Sequence, residues 1–421
     1  MMKSTKLSHG VNLHTLTTNK FKTNIICLMI RRALRREEAT CNALISKIMT
    51  MGCAKYDSAA KLAAQAERMF GAVYSCNVVK KAEEQIIQFF LEYLPKSAPK
   101  PGVSNAEALD FLSEVMLKPL VVNESFSPEI TEGEKRTLHA QISARKNHKA
   151  EYARYRLLEE MCASEAFSIP GDGYAEDVEA ITPQSAYAHY REILQTSPIE
   201  VMIIGSEPPS AETVSIALES LMIDSRPEAV DYLPLPQIVG NRAVPKQVHE
   251  HMPTNQGNIA IGYRGDVSPT GPHAYALLLA NEIFGGYGNS LLFSVIRERE
   301  SLAYAVSSTL YRFKSIVTVH AGVDSANFGR VAELVAQLLK QLSQGGTQGA
   351  DIENAKKSLL KKYEAIKDYP GQLLEFALSQ HMLGDSDELD EVIKKIRHTG
   401  TAEISAAAAR LGIDTRYTLG E

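Results

Sequence analysis

The segment best equipped for chemistry runs from Asn281-Glu282-Ile283-Phe284-Gly285-Gly286-Tyr287-Gly288-Asn289 through Arg297-Glu298-Arg299 to Leu302-Ala303-Tyr304. It reads as a helix broken by three glycines, a second helix with arginines in its last turn, and then a strand. Glycines let backbone amides approach another chain closely, and exposed amides can hold an extended peptide. Gly285, Gly286, Gly288 and Asn289 are therefore candidate substrate-binding residues. Arg297 lies seven residues before Tyr304, one at the helix end and the other at the strand start. A guanidinium and a phenol brought together there could grip a peptide carbonyl, or stabilise the oxyanion formed when water attacks it. These two are the candidate catalytic residues. The same pattern also describes a helix C-cap beside a surface arginine. A phosphate-binding loop fits poorly, because the glycines follow a helix and no Gly-Lys-Ser/Thr ends the motif.

Other chemistry-bearing residues carry weaker signals. His249-Glu250-His251 on a strand puts both imidazoles on one face, which is either the start of a metal site or a polar strand edge. Lys356-Lys357 and Lys361-Lys362 alternate with apolar residues at helical spacing and read as the solvated face of an amphipathic helix. Cys41 and Cys53 flank one helix and are either reactive or buried structural thiols. All five cysteines fall in the first 162 residues, and none has Cys-x-x-Cys spacing. Reduced cytosolic thiols are expected, not a disulfide framework or a structural zinc.

These groups need scaffolding, and the chain is long enough to provide it. Its 421 residues suit two or three domains. Forty-five basic against fifty acidic residues give a net charge of −5, which excludes a global nucleic-acid footprint. No apolar run reaches membrane-spanning length, and no secretion signal is visible, so a cytoplasmic protein with neither nucleic-acid nor membrane partners is expected. Strands are expected within 11–30 and 72–79, a second strand or a short helix over 85–93, and helices over 36–52, 58–70 and 106–117. A single long helical segment is expected over 128–163, a helix from Pro183, a strand over 199–205 and a helix over 210–222. Pro227, Pro234, Pro236 and Pro245 mark a linker over 224–245 between domains 1–223 and 246–421. The second half repeats the order with strands at 258–263, 303–310 and 315–321, and helices over 273–284, 291–299, 327–342, 351–367 and 371–381. Phe70-Gly71-Ala72-Val73-Tyr74-Ser75 matches Leu302-Ala303-Tyr304-Ala305-Val306-Ser307 in placement, so a duplicated domain is expected.

The run from Gln256 to Val323, with Gly262-Tyr263-Arg264-Gly265, Asn-Glu-Ile-Phe-Gly-Gly, Leu-Phe-Ser-Val-Ile-Arg-Glu and Leu-Ala-Tyr-Ala-Val, resembles the second domain of M16 (pitrilysin/insulinase-type) zinc peptidases. The resemblance covers nearly the whole chain and is closest to the short two-domain bacterial subunits. It implies an α+β fold of two related M16-type (metalloenzyme LuxS/MPP-like) α/β-roll domains, each an antiparallel-rich sheet packed with helices. In active members the pair matching Arg297 and Tyr304 holds substrate and stabilises the transition state, and the glycine loop contacts substrate.

The departure from the family pattern is as informative. Active members carry His-x-x-Glu-His on the first helix and a further glutamate ligand. The matching positions here are Ala43, Ser46, Lys47 and Gln141. No metal is expected on this chain. The resemblance implies a non-metal subunit of a heterodimeric peptidase, with zinc on a related partner that carries the motif, a peptide substrate, and a possible homodimer when the partner is absent. Among such pairs the chain is similar to the zinc-less member associated with 5-aminopentanol modification of elongation factor P. It is also similar to subunits associated with maturation of ribosomally made peptides. A catalytically inactive scaffold or peptide-binding protein is the alternative.

Overall fold

A computed structural model describes residues 2–98, 101–221, 226, 230, 233 and 235–421. The chain forms two compact units, one of Met1–Ser143, Ile169–Pro234 and Asp368–Ala377, the other of Ala144–Ser168, Leu235–Lys367 and Leu378–Glu421. Residues 224, 225, 227–229, 231, 232 and 234 of the expected 224–245 linker lie outside the described residues.

The first unit holds β1 (Lys3–Ser8), β2 (Val11–Thr17), β3 (Asn24–Ala33), β4 (Val73–Lys81), β5 (Glu84–Tyr93), a two-residue ribbon of β6 (Val121–Val122) and β7 (Ser125–Phe126), and β8 (Ile199–Gly205). The second holds β9 (Lys246–His251), β10 (Gly257–Arg264), β11 (Ala303–Tyr311), β12 (Ile316–Val323) and β13 (Gly412–Gly420). The large sheets run β1-β2-β8-β3-β5-β4 and β11-β12-β10-β13-β9. With β1 set aside, the two orders are the same topology. The first strand is parallel to the last (β2 with β8, β9 with β13), and every other pairing is antiparallel. Left-handed residues recur at matching places: Phe70 (φ 58) before β4 and Ser301 (φ 54) before β11, then Ala82 (φ 53) before β5 and Ser315 (φ 53) before β12. The fold is thus two related antiparallel-rich sheets, each packed with helices.

In the first unit, alternate residues of β3 and β5 (Ile26, Leu28, Ile30; Ile87, Phe89, Leu91) meet the apolar side of the helix Arg36–Ile48 (Leu44, Ile45, Ile48) in one core. In the second, the helix Lys149–Met161 lies on β10 and β13, with Tyr152, Ala153 and Leu157 against Ala260, Tyr417 and Leu419. It approaches so closely that a Cβ added to Gly262 would sit 2.4 Å from the Met161 sulfur. The single helix expected over 128–163 is therefore two, Pro128–Ala144 and Lys149–Met161. A 3-10 turn at Arg145–Asn147 and a non-helical His148 (φ −95, ψ 80) separate them, and the second helix packs in the second unit although it precedes the linker.

Each sheet buries an ion pair across its centre. Arg31 on β3 binds Glu84 through Nε and Nη2 (2.8 Å each) and reaches Glu200 on β8 at 3.0 Å. Arg264 on β10 binds Asp414 on β13 at 2.9 Å and donates to the Met161 carbonyl at 2.9 Å. Both arginines are at most 4% exposed, and Glu200 and Asp414 are fully buried. Removing one member of such a pair strands a charge in the core. Arg264→Met is expected to lower stability by about 3–5 kcal/mol, read from urea unfolding. Arg410→Ala, which removes an exposed pair with Asp266, should cost less than about 1 kcal/mol. Equal losses in the two variants would contradict this reading.

Candidate functional site

Arg297 and Tyr304 come together in the second unit. The helix Ala274–Asn281 widens into a π-helical turn at Glu282–Gly286, and a second π-helical stretch spans Phe293–Arg299. Such turns recur at functional sites because they rotate side chains out of α-helical phase. The Arg297 guanidinium carbon lies 5.0 Å from the Tyr304 ring centroid and 4.7 Å from that of Phe293. Ala303 pairs with Val323 and Ala305 with Gly322, so Tyr304 is the extra residue of a β-bulge on an edge strand. A bulge re-aims its side chain, and here Tyr304 is 77% exposed. Among the described residues, no protein group hydrogen-bonds the Arg297 guanidinium or the Tyr304 hydroxyl. An exposed phenol thus stands beside a half-buried guanidinium, neither of them hydrogen-bonded to a protein group among the described residues.

The glycine loop divides into a seated half and a presented half. A Cβ on Gly285 would lie 2.6 Å from the Ser308 nitrogen, so this glycine exists to let the loop touch β11. A Cβ on Gly286 would meet a Glu282 carboxylate oxygen at 2.7 Å. Gly288 has open space around it, and both it and Asn289 are exposed. Of the four candidate loop residues, Gly288 and Asn289 are the ones that face solvent, while Gly285 is buried.

In the first unit the positions that match the M16 zinc motif hold residues that do not fit a metal. Ala43 is 3% exposed within the core and has no donor atom. Ser46 is 5% exposed and turns its hydroxyl back to the Ala43 carbonyl at 2.8 Å. Lys47 supplies a cation, and Gln141 is exposed on the helix Pro128–Ala144. Burial, reinforced by Glu38, pushes the Cys41 thiol up to about 12, and burial also raises Cys53, so both favour the thiol form.

His249 and His251 are exposed on β9, and among the described residues no third His, Cys, Asp or Glu joins them at ligand spacing. Glu250 points the other way and accepts from Tyr152, Tyr417 and Arg156. The lysine face is solvated at Lys357 and Lys361, but Lys362 departs from that expectation by pairing with buried Glu282. The sequence also left His320 unremarked. It lies on β12, 5% exposed, donating from Nε2 to Asn258 Oδ1 at 3.1 Å and meeting Arg154 at 3.5 Å through Nδ1.

The comparisons with known proteins agree with this architecture. Residues 180–359 match the family model described as "Peptidase M16 inactive domain". The chain is 26% identical over 415 residues to "Probable inactive metalloprotease YmfF" of Bacillus subtilis (strain 168), covering 97% of this chain and 96% of that protein. A crystal structure of a conserved protein from Enterococcus faecalis V583 superposes with a TM-score of 0.92 at 25% identity, covering 100% and 99% of the two chains. A peptidase M16 inactive domain from Pseudomonas fluorescens shares the fold, with a TM-score of 0.79 at 14% identity and coverage of 100% and 98%. Residues 180–359 are thus similar to the M16 inactive domain, and over nearly its whole length the chain is similar to a probable inactive metalloprotease. No described helix is long and apolar enough to cross a membrane.

His320 gives the second unit a pH dependence. Burial, aided by the Arg154 charge, lowers its pKa from 6.5 to about 3. The unfolded chain therefore takes up this proton first, so the contribution is full above about pH 6.5 and falls as pH drops toward 3, by about 1.4 kcal/mol per unit. His320→Asn should flatten the stability profile between about pH 6.5 and 5, measured by urea unfolding. Identical slopes in variant and parent would refute the assignment.

Proposed function

We propose that this chain is the non-metal subunit of a heterodimeric M16-type metallopeptidase. It is an M16-like metalloprotease homologue without the donor set for zinc, and its second unit supplies Arg297 and Tyr304 to a peptide carbonyl. The observation that carries the reading is the open pair itself. A half-buried guanidinium on a π-helical stretch and an exposed phenol at a bulge are held together, hydrogen-bonded to no protein group among the described residues. Packing does not require that arrangement, whereas a carbonyl gaining negative charge does. Gly288 and Asn289 border the peptide. Zinc and the general base belong to a related partner with His-x-x-Glu-His, in a cytoplasmic 1:1 complex, and the chain pairs with itself when that partner is absent. A scaffold or peptide-binding role is the second reading. It is favoured by Ala43 and Ser46, which are absorbed into the core, and by the word "inactive" in the name of the Bacillus relative.

The isolated chain is expected to hold no stoichiometric zinc and to cleave no peptide, because Ala43, Ser46, Lys47 and Gln141 cannot form the ligand set. Metal analysis showing one tightly bound zinc per chain would overturn this. In the reconstituted pair, Tyr304→Phe keeps the ring and loses one donor. A fall in turnover of about 10²–10³-fold is expected, typical of losing one oxyanion donor. Arg297→Lys keeps the charge but loses the planar fork and should also be impaired. Complex formation by light scattering and zinc content should not change in either variant. Near-normal turnover in both would leave the chain as a scaffold.

A further inference from the structure

The presented half of the glycine loop needs a rigid base, and the structure supplies one from outside the segment that carries the motif. Glu282 opens the π-helical turn and is only 3% exposed. Its carboxylate accepts from Ser358 Oγ at 2.8 Å and from Lys362 Nζ at 2.7 and 2.8 Å. Lys362 Nζ also donates to the Gly286 carbonyl at 2.9 Å. Ser358 and Lys362 are four residues apart on the helix Gly349–Ile366, so both face the turn together. Gly286 has no Cβ to obstruct the carboxylate folded over it, and Gly285 beside it seats on Ser308 of β11. Ser308 Oγ in turn donates to the Asn281 carbonyl at 3.2 Å. The loop is therefore tied on one side to a helix and on the other to the strand that bears Tyr304.

We infer that Lys362 and Ser358, acting through Glu282, are positioning residues that hold the loop so that Gly288 and Asn289 are set against a bound peptide at a fixed distance from Tyr304. The inference rests on the peptidase reading for its substrate, but the clamp itself is a property of this chain. Lys362 is half exposed, so its loss leaves no cavity, whereas it removes the ammonium that neutralises a buried carboxylate and holds the Gly286 carbonyl. A purely structural ion pair would show itself in stability alone. A positioning role shows itself in loop order and in substrate binding.

The test uses Lys362→Met, Ser358→Ala and the charge-keeping Lys362→Arg in the full chain. Hydrogen exchange should accelerate at the amides of residues 285–290 in Lys362→Met by about tenfold, the equivalent of one lost charge-assisted bond. The acceleration should be smaller in Ser358→Ala, and Lys362→Arg should largely restore protection. In the reconstituted pair, KM for peptide should rise about tenfold in Lys362→Met while kcat stays within about twofold, and Lys362→Arg should recover KM. Unchanged exchange at 285–290 overturns the clamp whatever the pair does. Faster exchange with unchanged KM, or a fall in kcat at constant KM, overturns its positioning role. If the unmodified pair cleaves no peptide, the peptidase reading falls, and the binding arm is then read as peptide affinity of the chain by the same comparison of variants.

Discussion

In both sheets an arginine near the end of an inner strand, β3 or β10, reaches a carboxylate on the last strand, and both partners are sealed from water. Arg31 meets Glu200 in one sheet and Arg264 meets Asp414 in the other. The last strands, β8 and β13, arrive late in the chain yet lie inside their sheets. A buried charge that misses its partner is costly, so this pairing discriminates against any slipped register of those strands. In the second sheet the register even bends to serve it. Gly262 pairs with Thr415 and Tyr263 with Ile413, which leaves Asp414 as the extra residue of a bulge, with its carboxylate on Arg264.

The open Arg297–Tyr304 pair depends on that framework. β11 is an edge strand held by β12, which is held by β10, the strand that carries Arg264. Two bulges in one sheet thus do opposite things. The one at Asp414 turns a charge inward to fix the centre, and the one at Tyr304 turns an aromatic outward at the rim. Unpaired edges invite unwanted strand pairing. A bulge at the start of β11, with two π-helical segments packed beside it, breaks the regular edge where Tyr304 emerges.

Much of this was legible in the residues because it is local. The glycine run, the arginine-bearing helix end and the strand start are each set by neighbours in sequence, and the elements occur where the spacing placed them. The duplication was legible for the same reason, through Phe70–Ser75 and Leu302–Ser307. Features settled by distant contacts were not. β13 went unread although Ile413, Thr415, Tyr417 and Leu419 alternate with polar residues, because Asp414, Arg416 and Thr418 make the stretch look like a solvated tail. Its centrality depends on Arg264. The break at 145–148 was hidden because charged helical spacing continues through it, and what separates the two helices is the sheet onto which Lys149–Met161 packs. Lys362 resembled its solvated neighbours because its partner, Glu282, lies eighty residues away in sequence.

The two halves of the duplicated design have diverged in opposite physical directions. On the helix Arg36–Ile48, two of the positions that match the M16 zinc motif are packing positions. Ala43 is within the core, Ser46 closes on its own helix, and the adjacent Asn42 is fully buried in a hydrogen-bonded chain with Gln85 and His189. Side chains as large as imidazole would have to enter a close-packed interior at position 43, and such overpacking typically costs about 1–3 kcal/mol. Ala43 and Ser46 are thus built into the core, and a metal donor at position 43 would require the interior to repack. The second unit shows the contrary balance at Arg297 and Tyr304, where large side chains with hydrogen-bonding capacity lie at the rim with no protein hydrogen-bond partner among the described residues. An exposed aromatic ring and an unpaired guanidinium contribute little to folding. Their orientation is set by a bulge and a π-helical stretch, both less regular than the structure they interrupt.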